Sequence, residues 1–287
     1  MATFVEDLAI TKHHDVYPGI ALENHPQTGR VVLVTGASKG IGRATALAFA
    51  RAGCSAVVLL ARNEDSLEDA KKEIEGSVDG VQVVTQRTDV TKSDEVKRAV
   101  QECVERFGKI DVVVSNAGAN HVPTKSADMD PDEWWSVWEA NVKSNYVVAH
   151  HTIPHLLKTK GYFICVGSLA AQNRWIGRSA YQTSKHALNR FIEFFPLEYG
   201  DDVKAIVLHP GAIKTGLAAA NPAIQAFLID TLELAAGTII RLTSGKHDWL
   251  NGRFVNATWD LDELNGMKDE ILSMNGLRNR LNLPKEA

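Results

Sequence analysis

At 287 residues, 45% of them hydrophobic and 23% charged, the chain is long and apolar enough to bury a sizeable core. A net charge of -4 gives no electrostatic reason to expect nucleic acid or an anionic membrane as partner. Three scattered cysteines, Cys54, Cys103 and Cys165, argue against a disulfide framework and are expected to be reduced packing residues of a cytosolic protein.

In chain order, Met1 to Ile10 carry Glu6 and Asp7 without an apolar run, so no signal peptide is expected. No segment reaches the roughly 18 uncharged apolar residues that span a bilayer. Residues 1–29 hold His13, His14, Pro18, Gly19, Pro26 and Gly29 with no sustained period, and are expected to form an arm. From Val31 short β-branched runs take over: Val31–Thr35, Ala56–Leu60, Gln82–Thr85, Asp111–Ser115, Tyr162–Val166 and Lys204–Leu208. They alternate with helical stretches over Ile41–Ala52, Ser66–Glu75, Ser93–Phe107 and Tyr181–Tyr199, the last expected to bend at Pro196. With Arg253–Ala257 this makes about seven strands. Apolar strands alternating with helices predict an α/β fold, one doubly wound, Rossmann-type parallel sheet covered on both faces. A single domain is expected over 30–260, with a tail over 261–287 packed as short helices on one edge.

The first strand runs into Thr35-Gly36-Ala37-Ser38-Lys39-Gly40-Ile41-Gly42 and then a helix. Glycines there let the backbone turn tightly and approach a pyrophosphate set against the helix N-terminus. The spacing is TGxxxGxG, and matching elements follow in order. They are Asp89-Val90, Asn116-Ala117-Gly118, Asn141, Ser168, Tyr181-x-x-x-Lys185, and Pro210-Gly211 with Ile213 and Thr215. Over roughly residues 30–257 the chain resembles the short-chain dehydrogenases/reductases.

The resemblance implies roles residue by residue. Gly36, Ser38, Lys39, Gly40, Ile41 and Gly42 would hold the cofactor phosphates. Asp89 and Val90 would take the adenine, and Asn116, Ala117 and Gly118 the adenosine ribose side. Pro210, Gly211, Ile213 and Thr215 would meet the nicotinamide, and 30–260 would be the catalytic domain, including a substrate lid over about 213–235. The second strand ends Leu60-Ala61-Arg62-Asn63, with no carboxylate before Glu64. Arg62 can fork onto a 2′-phosphate and Lys39 can approach it from the other side, so NADP(H) is expected over NAD(H).

Lys185 follows Tyr181 by four, so a helix places both on one face. A cation beside a phenol favours the phenolate, which suits Tyr181 to acid–base work. Ser168 is expected to hydrogen-bond the substrate oxygen. Asn141 resembles the family's fourth member, which holds a water connecting the lysine to solvent. Asn116 and Ser168 also have ordinary readings, as a turn asparagine and a cap. His121, Leu169, Gln172, Trp175 and Leu217 are expected to shape a pocket for a medium-sized, mainly apolar carbonyl or alcohol. His121 is either a hydrogen-bonding or acidic pocket group or an exposed loop histidine.

His151 and His155 have metal-ligand spacing but no accompanying carboxylate or cysteine, and no metal is expected. Trp134, Trp135 and Trp138 suit packing or an interface. Relatives form dimers or tetramers through helices corresponding to about 139–159 and 181–199, which implies a homo-oligomer. The arm and the Leu250–Phe254 to Asp260 segment look similar to fungal members, some serving natural-product pathways. An epimerase or cyclase, or an NADP(H)-sensing binding protein, would use the same fold without net redox turnover.

Overall fold

The computed structural model describes residues 7–216 and 222–281. Seven parallel strands, β1 Val31–Thr35, β2 Ala56–Ala61, β3 Gln82–Arg87, β4 Val112–Ser115, β5 Tyr162–Val166, β6 Lys204–His209 and β7 Arg253–Asn256, form one sheet in the order 3-2-1-4-5-6-7. The order reverses between β1 and β4, and a crevice opens at the carboxyl ends of strands at such a switch point.

Alternation along each strand fills both faces. Val32 and Val34 of β1 join a core with Phe49 and Ile240, while Val31 and Leu33 join one with Val148 and Leu188. On the first face lie α1 (Gly40–Arg51), α2 (Glu64–Ser77) and a helix over Leu232–Leu242 that we label α8. On the second lie α3 (Ser93–Phe107), α5 (Ser144–Thr159) and α6 (Ser179–Ile192). Cys54, Cys103 and Cys165 are buried and unpaired, and burial pushes each thiol up to about 12. They are packing residues, as expected.

The long helix expected over Tyr181–Tyr199 is two helices. Helix α6 ends at Ile192 and α7 restarts over Phe195–Tyr199, with Pro196 in its first turn, where no i-4 bond is required. Ahead of α5, α4 (Pro131–Trp138) runs through a π turn over Glu139–Lys143. Of the expected lid, 217–221 lie outside the described residues. Its last positions, 232–235, instead open α8, where Leu234 and Ala235 are fully buried.

Residues 7–29 are built into the fold. Ile20 is fully buried, Gln27 Nε2 donates to the Ile240 carbonyl at 3.1 Å, and Arg241 donates to the Gly19 carbonyl at 2.6 Å. The tail forms the short helices α9 (Leu261–Gly266) and α10 (Lys268–Ser273). Asp260 caps α9 and also meets His13 of the arm at 2.9 Å.

Between α8 and β7, His247 is fully buried with an unpartnered Nδ1, and burial pulls its pKa down to about 4. In the unfolded chain it titrates near 6.5. Its contribution to stability is therefore complete above pH ~6.5 and is lost as pH falls toward 4, roughly 3 kcal/mol at the limit. Melting temperature is expected to fall steeply from pH 6.5 to 4.5, with a shallower slope in His247→Gln. Identical slopes for the two proteins would contradict this.

Candidate active site

The glycine turn sits at the switch point, held by the end of β4. Thr35 Oγ1 accepts the backbone N–H groups of Asn116 (2.9 Å) and Ala117 (3.0 Å). The Asn116 amide donates back to the carbonyls of Thr35 (2.9 Å) and Gly36 (3.3 Å). Thus Asn116 acts through its side chain as a tie between two turns. A methyl group at Gly42 would lie 2.4 Å from the Gly36 carbonyl oxygen and 2.6 Å from Asn116 Nδ2. Gly36 and Gly40 have φ of +64° and +55°.

Helix α1 begins with Lys39 as its N-cap, and among the described residues no side chain caps it. Its first-turn N–H groups, at the positive end of the helix dipole, are left for an anion. Thr215, from the loop after β6, stands opposite: a methyl group at Gly40 would lie 3.6 Å from its Cγ2. This cradle of uncapped N–H groups and glycines fits a dinucleotide pyrophosphate.

At the end of β2, Arg62 is exposed, and Asn63 caps α2 through Ser66 N–H at 2.8 Å. At the end of β3, burial alone would raise the Asp89 carboxyl. Two bonds from Thr91 and the nearby Arg62 charge outweigh it and hold that carboxyl below the usual range. Val90 is partly buried against the second core face.

Tyr181 and Lys185 share one face of α6, with Lys185 Nζ 5.8 Å from the Tyr181 ring centroid. Lys185 is 5% exposed and donates to the Val166 carbonyl at 3.0 Å. Asn141 lies in the π turn, a device common where a side chain must be re-aimed. Its amide accepts from Ala119 N–H (2.8 Å) and donates to the Ala119 carbonyl (3.0 Å) and Ser184 Oγ (2.9 Å). Gly118 fits between the pair: a methyl group there would lie 2.8 Å from Asn141 Oδ1 and 3.5 Å from Lys185 Nζ. Ser168, just past β5, accepts from Ala170 N–H at 3.1 Å, which leaves its own proton to donate. Trp134 packs with Tyr181 around Ala180 and donates to Ser179 at 3.1 Å, so the tryptophan cluster buttresses the start of α6.

The expected substrate residues divide. Leu169 and Trp175 lie in the segment between β5 and α6, Trp175 at 40% exposure. Gln172 Nε2 donates to Asn279 Oδ1 at 2.9 Å and is tied to the tail. His121 is not an exposed loop residue: it is 7% exposed, its Nε2 meets the Gly177 carbonyl at 3.1 Å, and burial lowers its pKa. Leu217 lies outside the described residues. His151 meets Ser93 at 2.9 Å, and no group of three metal-ligating side chains occurs among the described residues.

Sequence patterns missed Asp230 and Arg178. Asp230, ahead of α8, accepts from Ala212 N–H in the Pro210–Thr215 loop and from His14 of the arm at 2.6 Å. Ile213, 5% exposed, bridges to the same residue. His14 and Asp230 are 216 residues apart and the other partners belong to no motif, so no local spacing announces them.

A family model described as short chain dehydrogenase matches residues 30–225. The short chain dehydrogenase citE of Monascus ruber is 40% identical over 275 residues, covering 94% of each chain. A second one from that fungus, pigC, is 36% identical and covers 95% of this chain and 93% of its own. Among solved structures, a 7α-hydroxysteroid dehydrogenase complexed with NADH and 7-oxo glycochenodeoxycholic acid superposes with a TM-score of 0.76 at 25% identity. That match covers 85% of this chain and 97% of the neighbour. With the fold, the ordered motifs and these similarities in agreement, the chain belongs to the short-chain dehydrogenase family of oxidoreductases.

Proposed function

We propose that the chain is an NADP(H)-dependent reductase converting a ketone or aldehyde of a medium-sized, mainly apolar compound to its alcohol. The observation that carries this is the Tyr181–Lys185 pair on one face of α6, set beside Asn141 and facing the turn that ends β4. NADPH, when bound, supplies the hydride. The glycine turn from Gly36 to Gly42 and the α1 N-terminus would hold its phosphates, Asp89 and Val90 its adenine, and the 210–215 loop its nicotinamide end. Lys39 and Arg62, both exposed, would hold a 2′-phosphate.

Tyr181 donates its phenolic proton to the carbonyl oxygen, and Ser168 donates a hydrogen bond to that oxygen as charge develops. Lys185 stabilises the phenolate left behind and would also hold the nicotinamide ribose. Asn141, flanking the same spot as the Lys185 ammonium, would hold the water that returns a proton from solvent. In the reverse direction Tyr181 is the base. The similarity to fungal relatives supports a place in natural-product metabolism, and we read the protein as cytoplasmic. Exposed Tyr146 and Leu157 on α5, Phe194 just past α6 and Leu197 on α7 support a homodimer or homotetramer through these helices.

The test is the initial rate of NADPH loss over a panel of ketones and aldehydes, with NADH alongside. NADPH is expected to be preferred by roughly 10–100-fold, the worth of a charge-assisted bond of about 1.5–3 kcal/mol. Arg62→Glu should remove that preference. A preference for NADH in the unmodified protein would remove the Lys39–Arg62 argument and leave the carbonyl chemistry standing.

A further inference from the structure

Two polar side chains buried beside Tyr181 have no part in the reaction described above. Arg178 stands immediately ahead of α6, three residues before Tyr181, and is 5% exposed. Its Nη1 donates to Asn120 Oδ1 at 3.1 Å and to the His121 carbonyl at 2.9 Å. Arg190 and Arg241 pair with Glu193 and Asp262. Among the described residues no carboxylate does the same for Arg178, and burial pulls its pKa below the usual guanidinium value. Against it lies His121, with Nε2 on the Gly177 carbonyl and a buried Nδ1 that has no partner. With Nε2 as donor, Nδ1 is an unused acceptor.

The location is the rim of the site. Asn120 and His121 follow Gly118 and Ala119, which Asn141 and Lys185 pack against, and Arg178 joins this loop to the helix that carries Tyr181. Taking a guanidinium out of water without a counter-charge is strongly unfavourable. Two neutral acceptors on one nitrogen answer only part of a five-donor fork. A binding site tolerates such a cation when its ligand brings the anion.

We propose that Arg178 anchors the substrate, and that the compound reduced at Tyr181 carries a carboxylate that pairs with its guanidinium. This rests on the reductase reading, and it narrows an otherwise apolar substrate to an acidic one.

The probes are benzoylalkanoates of increasing chain length, each beside its methyl ester, which has the same ketone and nearly the same apolar body. For at least one length the wild-type protein is expected to favour the acid by tenfold or more in kcat/KM, the difference residing in KM. Arg178→Gln should abolish that preference by weakening the acid and sparing the ester, and Arg178→Lys should retain part of it. Equal use of acid and ester at every length overturns the proposal. So does an Arg178→Gln variant that loses both alike, since that is the mark of a residue that only holds the loop. If no probe consumes NADPH, turnover cannot report on the anchor, and the reductase reading is judged separately on the wider carbonyl panel. Equilibrium binding of acid and ester to the NADPH-loaded protein then decides the anchor, by the same tenfold preference or its absence.

Discussion

Replacing Tyr181 by phenylalanine is expected to lower kcat by roughly 10²–10⁴-fold, the usual worth of a positioned general acid, while leaving cofactor affinity nearly unchanged. Among the described residues the phenol makes no hydrogen bond on which the fold depends: α6 is fixed by Ala180, Leu188 and Ile192, all fully buried, and by the Trp134 contact with Ser179. Losing the hydroxyl therefore removes proton delivery and little else. Lys185→Met is a different lesion. Lys185 is buried and donates to the Val166 carbonyl at the end of β5, so its removal leaves a buried acceptor unmatched and weakens both cofactor binding and turnover. Rates and NADPH binding for the two variants separate the roles. If Tyr181→Phe retained more than a tenth of wild-type turnover, another group would be the acid.

The second large effect is expected at Gly42. Its missing Cβ would lie 2.4 Å from a backbone carbonyl and 2.6 Å from the Asn116 amide that ties the turns together. Neither is the loose end of a flexible side chain, so Gly42→Ala must push α1 away from the turn. Overpacking of this kind costs about 1–3 kcal/mol, and the displaced first-turn N–H groups should lose at least about tenfold in NADPH affinity, the factor that ~1.4 kcal/mol of lost interaction represents. Gly76, in α2 with nothing within 4 Å, is the control. Gly76→Ala should leave binding untouched and add up to about 1 kcal/mol of stability. Wild-type affinity in Gly42→Ala would show that the turn is not a phosphate cradle.

These sites differ in how far the sequence discloses them. Strands β1 and β2 are continuous β-branched or aliphatic runs, β5 and the middle of β6 are continuously apolar, and helices such as α3 carry a plain 3.6-residue period, so the doubly wound sheet is visible from Val31 onward. The four-residue interval from Tyr181 to Lys185 is a local fact that any helix honours. Other features depend on partners far along the chain. Residues 7–29 lack a period because isolated anchors hold them: Ile20 against α8, and His14 on Asp230, 216 residues away. Gln172 looks like a pocket residue until Asn279 takes its amide. Arg178 resembles any helix-start cation, since burial without a carboxylate is a property of the assembled loops. The break at 193–194 combines a proline signal that is visible with an exact position that tertiary packing sets.

The most direct measurement is the ratio of NADPH consumed to alcohol formed by the wild-type protein on a turned-over ketone, followed to completion by absorbance and product quantification. The reductase account predicts a ratio of one to one, with both processes falling together in Tyr181→Phe. Product accumulating without net loss of NADPH would contradict it and assign the same site to a non-redox isomerisation or cyclisation.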